Sequence, residues 1–197
     1  MKKILLTFAL LLGLSFNVAA QEAGKMWLGG TIGLSSDNWS GEQKTSTNFS
    51  INPEFGYNLN NKLAIAISLG YGHVEGDLAL EDGTFSYTSN EFTVSPFVRY
   101  TVVKGNIGSF FVDGGLEYTH SHMNSLDYDT NIYGIGFRPG ISINVTKSIS
   151  LIAKCGQIGY KHTAVELGSG YYNFKANNNK YSFDLFKEFA FGMAVSF

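Results

Sequence analysis

The sequence predicts an all-β fold, an eight-stranded antiparallel up-and-down transmembrane β-barrel, and three observations carry that prediction. Charged residues make up only 15% of the chain, and aromatics another 15%, against about 25% charged in ordinary soluble proteins. Apolar and polar residues alternate with period two along most of its length, the mark of strands with two unlike faces. The connections between alternating segments are short and long in turn, as in membrane barrels with short periplasmic turns and longer extracellular loops.

The first twenty residues stand apart from this pattern. Met1-Lys2-Lys3 is a cationic start, Ile4 to Phe16 is apolar, and Val18-Ala19-Ala20 supplies the small residues of a signal-peptidase site before Gln21. A membrane-spanning helix needs ~20 apolar residues, so this stretch reads as a cleaved signal peptide over 1–20. The expected barrel domain is 21–197. Without Lys2 and Lys3, 12 basic and 16 acidic residues leave a net charge of −4. That balance, with no basic run, argues against a nucleic-acid partner. After residue 20 no run of ~18 apolar residues occurs, so an exported chain this poor in charge points to strands in a membrane. Cys155 is the single cysteine; it forms no internal disulfide and reads as a small apolar residue.

Eight alternating segments fall at about 25–35, 47–57, 63–74, 87–100, 107–119, 131–144, 149–160 and 181–197. Short turns are expected at 58–62, 101–106 and 145–148, and longer polar loops at 36–46, 75–86, 120–130 and 161–180. Pro53, Pro96 and Pro139 recur at a spacing of 43 residues, each ahead of a turn containing Lys62, Lys104 or Lys147. The repeating unit is therefore a hairpin. Proline donates no ladder hydrogen bond, so a bulge or a missing bond is expected at each.

The faces separate cleanly. Phe49, Ile51, Pro53, Phe55 and Tyr57 oppose Asn48, Ser50, Asn52, Glu54 and Gly56. Phe92, Val94, Pro96, Val98 and Tyr100 oppose Glu91, Thr93, Ser95, Phe97 and Arg99. Tyr133, Ile135, Phe137, Pro139, Ile141 and Ile143 oppose Gly134, Gly136, Arg138, Gly140, Ser142 and Asn144. A soluble barrel would turn the bulky set inward, but eight strands leave room only for side chains to fill, and that set overfills it. Turned outward, the bulky residues meet lipid and the small ones fit the lumen. Tyr57 and Tyr100 near the inner turns, with Tyr71, Tyr87 and Tyr118 near the outer loops, then supply two aromatic girdles.

On the Pro53 to Tyr57 and Pro96 to Tyr100 strand ends, the Lys-containing turns and the terminal Phe197, the chain resembles small outer-membrane barrels of the OmpA/OmpX type. It is most similar to the barrel-domain "porin family" proteins of Bacteroidetes. The resemblance covers the whole segment after residue 20 and implies residence in the outer membrane with lipid as a partner. It also implies that the C-terminal strand, with Phe189, Phe191, Met193, Val195 and Phe197 on one face, is read by the outer-membrane assembly machinery. The peptidoglycan-binding domain that OmpA carries is not expected here.

Three constellations bear on chemistry. Glu54, Arg99, Asp113, Glu117, Arg138, Lys154 and Glu188 fall on the inner face, where an ion network satisfies charges that are costly alone. It either plugs the lumen or lines a narrow path, and Arg138 is expected to pair with Asp113. His73, His120, His122 and His162 fall at the outer strand ends, with Asp127 and Asp129 nearby. They are weak metal candidates, read more simply as solvated rim residues. His120, Ser121 and Asp127 offer the residue types of a lipid-modifying hydrolase, but no nucleophile motif surrounds them. The sequence reading is thus a non-enzymatic outer-membrane barrel without cofactor, in a structural or surface-interaction role. The alternative is a small channel for ions or polar solutes.

Overall fold

The computed structural model describes residues 23–39, 44–80, 83–123, 128–169, 172–183 and 189–197. The expected signal peptide and Glu188 lie outside these residues. The wall is built from β1 (Met26–Trp39), β2 (Lys44–Asn58), β3 (Leu63–Leu80), β4 (Gly83–Lys104), β5 (Gly108–Met123) and β6 (Tyr128–Asn144). It continues through β7 (Ile149–Cys155), β8 (Ile158–Ser169), β9 (Tyr172–Phe183) and β10 (Phe189–Ser196). β7 and β8 pair with successive stretches of β6, while β10 pairs with β7 and β9 with β8. Each of these couples is one interrupted wall strand, so the wall has eight. Every neighbouring pair is antiparallel, and β1 against β10 closes the ring. Met26 and Phe197 exchange backbone bonds of 3.0 and 2.9 Å at that seam. Closure pairs β1 with β10 over Trp27–Leu34, so along that stretch neither strand leaves an open edge for hydrocarbon to meet.

The inner turns lie between β2 and β3, β4 and β5, and β6 and β7; the second is shorter than the expected 101–106, since β4 stays paired with β5 out to Lys104 and Ser109. The outer connections differ from expectation. β3 and β4 stay paired out to Leu80 and Gly83, and β8 and β9 out to Ser169 and Tyr172. The polar stretches expected to be loops are mostly tall hairpins. Their Ser, Thr and Asn residues pair as ladders, because outside the membrane both faces of a strand are free to be polar.

Side-chain orientation follows the alternation. Leu34, Phe137 and Phe191 expose 66%, 60% and 63% of their surface on the outer wall, an apolar extent a soluble barrel would not tolerate. Tyr87 departs from the expected girdle: it shares the inner face with Ser89, and its ring covers Gly76.

Each proline keeps its pairing with the preceding strand, at Gly30–Pro53, Ile67–Pro96 and Val112–Pro139. Each disturbs the ladder to the following one. Pairing of β2 with β3 skips Asn52 and Pro53, and that of β4 with β5 skips Ser95 and Pro96, both without a change of register. Opposite Pro139 the following strand carries one extra residue around Gly156 and Gln157, the break between β7 and β8. Two missing rungs and one bulge are what a ring nitrogen without a proton leaves behind. At Pro96 the loss is repaired, for Ser95 Oγ donates to the Leu116 carbonyl at 2.8 Å.

Candidate functional site in the barrel lumen

The inward positions build the lumen in layers. At the periplasmic end β1, β4, β5 and β7 contribute Trp27, Phe97, Phe111 and Ile152, all buried, with Phe111 fully enclosed. Rings this large fit a narrow barrel because glycines face them. A Cβ on Gly56 would fall inside the Trp27 indole, and one on Gly140 would strike the Phe111 ring.

Above this layer lies a balanced ion cluster. Arg99 donates from Nε and Nη2 to Asp113 at 2.7 and 2.8 Å, a bidentate pair. Lys154 Nζ is 3.0 Å from the same carboxylate and also bonds Glu54, whose other oxygen is 3.5 Å from Arg99 Nη2. Two carboxylates and two cations are thus neutralised out of water, and each leans on its neighbours. The Arg99 guanidinium lies 4.0 Å from the Phe111 ring centroid and 4.7 Å from that of Trp27. Lys154 Nζ lies 4.9 Å from that of Phe97. The aromatic and ionic layers are one plug, tied by cation–π contacts.

A second, wetter tier follows. Glu117 bonds Arg138 and is 3.2 Å from Lys161, while Arg138 also donates to Gln157 at 3.0 Å. The space between the tiers is about 20 Å³, room for roughly one water. Beyond them the outer half of the lumen holds a cavity of about 320 Å³, bordered by Asn48, Ser50, Glu91, Thr93, Thr119 and Lys161.

Glu54, Arg99, Asp113, Glu117, Arg138 and Lys154 therefore all face the lumen, but their partners are not all those expected. Arg138 and Asp113 are opposite in register, yet Arg138 reaches outward to Glu117. Asp113 is already held by Arg99, its opposite neighbour on the other side, and by Lys154. Lys161 and Gln157 complete the outer tier and had not been read as inward. Of the aromatic floor, the alternation turns Phe97 inward, and the structure adds Trp27 and Phe111 beside it.

The histidines stand on the outer face of the wall at the rim. His122 Nδ1 is 2.8 Å from Asp129, and His120 Nε2 is 3.8 Å from it. His73 and His162 stand on other hairpins, and among the described residues no group of three such side chains is arranged to hold a metal ion. His120 and Ser121 point to opposite faces of β5, and Ser121 Oγ bonds Ser89 Oγ at 2.7 Å. The hydrolase constellation therefore does not converge, and Asp127 lies outside the described residues. Phe189, Phe191, Met193, Val195 and Phe197 share the lipid face at the closing seam.

A family model described as "outer membrane protein beta-barrel domain" matches residues 6–197. Among solved structures, the chain is similar to the outer membrane protein OprG from Pseudomonas aeruginosa. The identity is 11%, the match covers 92% of this chain and 99% of that one, and the TM-score is 0.63. Neisserial surface protein A is 15% identical, covering 88% and 96%, with a TM-score of 0.49. Ail, the attachment invasion locus protein of Yersinia pestis, is 10% identical, covering 89% and 99%, with a TM-score of 0.43. At 11% identity the likeness to OprG is one of fold. No curated protein matches the sequence.

Proposed function

This chain belongs to the outer membrane protein β-barrel domain family, and on that premise we propose that it is a non-conducting, non-enzymatic barrel with a structural or surface-interaction role. Family membership implies residence in the outer membrane. Export by a signal peptide over 1–20, and recognition of the Phe189 to Phe197 strand by the assembly machinery, belong to the same proposal.

The observation that carries it is the two-layer plug. An ion crossing the lumen must pass the Trp27, Phe97 and Phe111 rings and a charge-balanced cluster, and the space between the two ion tiers holds about one water. The plug rests on side chains locked to the wall by paired charges, so it does not swing away like a loop. The outer cavity is the one feature that favours the channel reading, and it ends on this floor.

Planar-bilayer recording tests the proposal. Wild-type protein, shown to be folded by its shifted gel mobility, should give no single channels. Phe111→Ala should begin to conduct, and Arg138→Ala/Lys154→Ala should add to that. Reproducible wild-type channels, altered by the Arg138 and Lys154 changes, would establish the pore instead. Lipid A composition of cells with and without the protein should be identical; a difference in acylation would revive the enzyme.

A further inference from the structure

On the outer wall three strands repeat one constellation. Tyr71-x-His73, Tyr118-x-His120 and Tyr160-x-His162 each stand beside an asparagine of the next strand, directly opposite the histidine: Asn90, Asn131 and Asn179. In every unit the tyrosine hydroxyl donates to the asparagine Oδ1, at 2.9, 2.8 and 2.9 Å. The histidine Nδ1 meets the same oxygen at 2.9, 3.1 and 2.7 Å. Since that oxygen only accepts, the imidazole carries a proton on Nδ1 and turns Nε2 outward.

The units stand at one level. A line across the strands from His73 passes Asn90 and meets β5 at His122; from His120 it passes Asn131 and meets β8 at Ala164. In both cases the next histidine is two residues nearer the periplasmic end. That is the offset expected over two strand spacings of ~4.8 Å at a tilt of ~35–45°. Tyr118 also stacks on Tyr133 at 5.2 Å, and Tyr133 lies 6.4 Å from His162, joining the second unit to the third.

That level is a chemical boundary. Outward on β3 the residues run Ile65, Ile67, Leu69, Tyr71, His73, Glu75; on β5 they run Phe110, Val112, Gly114, Leu116, Tyr118, His120. The apolar band ends at each tyrosine, and each histidine is the first polar residue beyond it. Both oxygen acceptor sites of each asparagine are taken, and among the described residues nothing takes its Nδ2–H groups. Three amides therefore offer two donors each at the depth where a bilayer presents phosphate and ester oxygens, and charged phosphate makes the stronger bond. Glu75 lies 3.3 Å from His73 Nε2, a bond that only the imidazolium makes, since Asn90 Oδ1 and the carboxylate both accept. Asp129 accepts from His122 Nδ1 at 2.8 Å, so both carboxylates are held by histidines.

We propose that these three Tyr-x-His/Asn units form a collar that binds the phosphates of outer-leaflet lipid headgroups, one lipid to each unit.

Native mass spectrometry of the full protein released from mixed micelles provides the test, with phosphatidylglycerol and phosphate-free diacylglycerol as competing probes. Wild type should retain up to three phosphatidylglycerol molecules, in at least tenfold preference over diacylglycerol. Asn90→Leu/Asn131→Leu/Asn179→Leu should lose that preference, and each single Leu variant should lower the retained number by one. The singles decide the matter if the triple variant does not fold. Tyr71→Phe/Tyr118→Phe/Tyr160→Phe keeps the amide donors and should keep most of the preference. An undiminished preference in the Leu variants, or an equal loss in the Phe triple, would reduce the collar to an aromatic girdle. Millimolar inorganic phosphate should not displace the lipid; displacement would overturn the assignment to a headgroup.

Discussion

Removing Arg99 tests the inner cluster most sharply, because its charges balance only as a set. In Arg99→Met, Glu54 and Asp113 remain buried with Lys154 as their shared cation. Stripping one partner from a buried ion pair costs about 3–5 kcal/mol, and loss of the guanidinium from the Phe111 and Trp27 faces adds about 0.5–2 kcal/mol. Removing Asp113 as well should recover much of this. Arg99→Met/Asp113→Leu leaves Glu54 against Lys154, one charge for one, so its cost should fall to about 1–2 kcal/mol above wild type. The second change should thus recover roughly 2–5 kcal/mol of the first one's cost, although Asp113→Leu alone should itself cost about 3–5 kcal/mol, so the two single costs are far from additive. Urea unfolding in phospholipid bilayers measures it, and the Trp27 indole, 4.7 Å from the Arg99 guanidinium, provides a fluorescence signal inside the site. Costs that simply add, or a single variant within 1 kcal/mol of wild type, would refute the account of a mutually dependent cluster.

Phe111→Ala should destabilise the barrel by about 3–5 kcal/mol, as large-to-small changes at enclosed aromatics do; a loss under 1 kcal/mol in the same urea assay would mean the floor is loosely packed. Ser95→Ala strands the Leu116 carbonyl and should cost about 1–3 kcal/mol. In a Pro96→Ala background the restored N–H can take that carbonyl, so the Ser95→Ala cost should shrink to a few tenths; an equal cost in both backgrounds would contradict the repair. His73 should titrate above its ordinary 6.5, first because of its bond to Asn90 and then because of Glu75. With a raised folded pKa, its contribution to stability is complete below about pH 6.5 and fades as pH rises through the folded value. Imidazole NMR shifts of wild type and Asn90→Leu measure this, and a wild-type midpoint at or below 6.5 would be the wrong sign.

How much of this was legible follows from which quantity each feature depends on. Facing depends on residue parity alone, so the alternation of Phe92, Val94 and Val98 against Thr93, Ser95 and Arg99 suffices to turn the strand the right way. The same parity sends Glu54, Asp113 and Lys154 inward. Partnership depends on register and tilt together, which no single strand encodes. Asp113 has Arg99 opposite on one side and Arg138 on the other, and only the competition inside the closed lumen decides for Arg99. Strand length outside the membrane was illegible for a different reason. The hydrophobic contrast that marks a strand in lipid vanishes where both faces meet water, so 75–86 reads as a loop although 75–80 and 83–86 continue the ladder.

The two faces of this wall respond to the same constraint in opposite ways. Inside, volume is scarce, so each ring is admitted by a glycine facing it, Gly56 for Trp27 and Gly140 for Phe111, and each charge of the inner cluster is cancelled within a few ångströms. Outside, volume is unlimited and the solvent changes with depth. Polarity is therefore set by height: Ile65, Ile67 and Leu69 below, Tyr71 at the boundary, His73 and Glu75 above. A residue's place along the strand fixes the solvent it meets, and its parity fixes whether that solvent is lipid or the lumen. Arg99 and Tyr100 are adjacent in sequence, yet one sits in an ion cluster with 4% of its surface exposed and the other on the outer wall with 47%. For this chain a one-residue slip in register exchanges those environments, placing a guanidinium in the lipid at a cost of up to about 2–4 kcal/mol near the midplane. The inward charges thus specify register as well as closing the lumen, since a one-residue slip of a strand carries its inward charges into hydrocarbon.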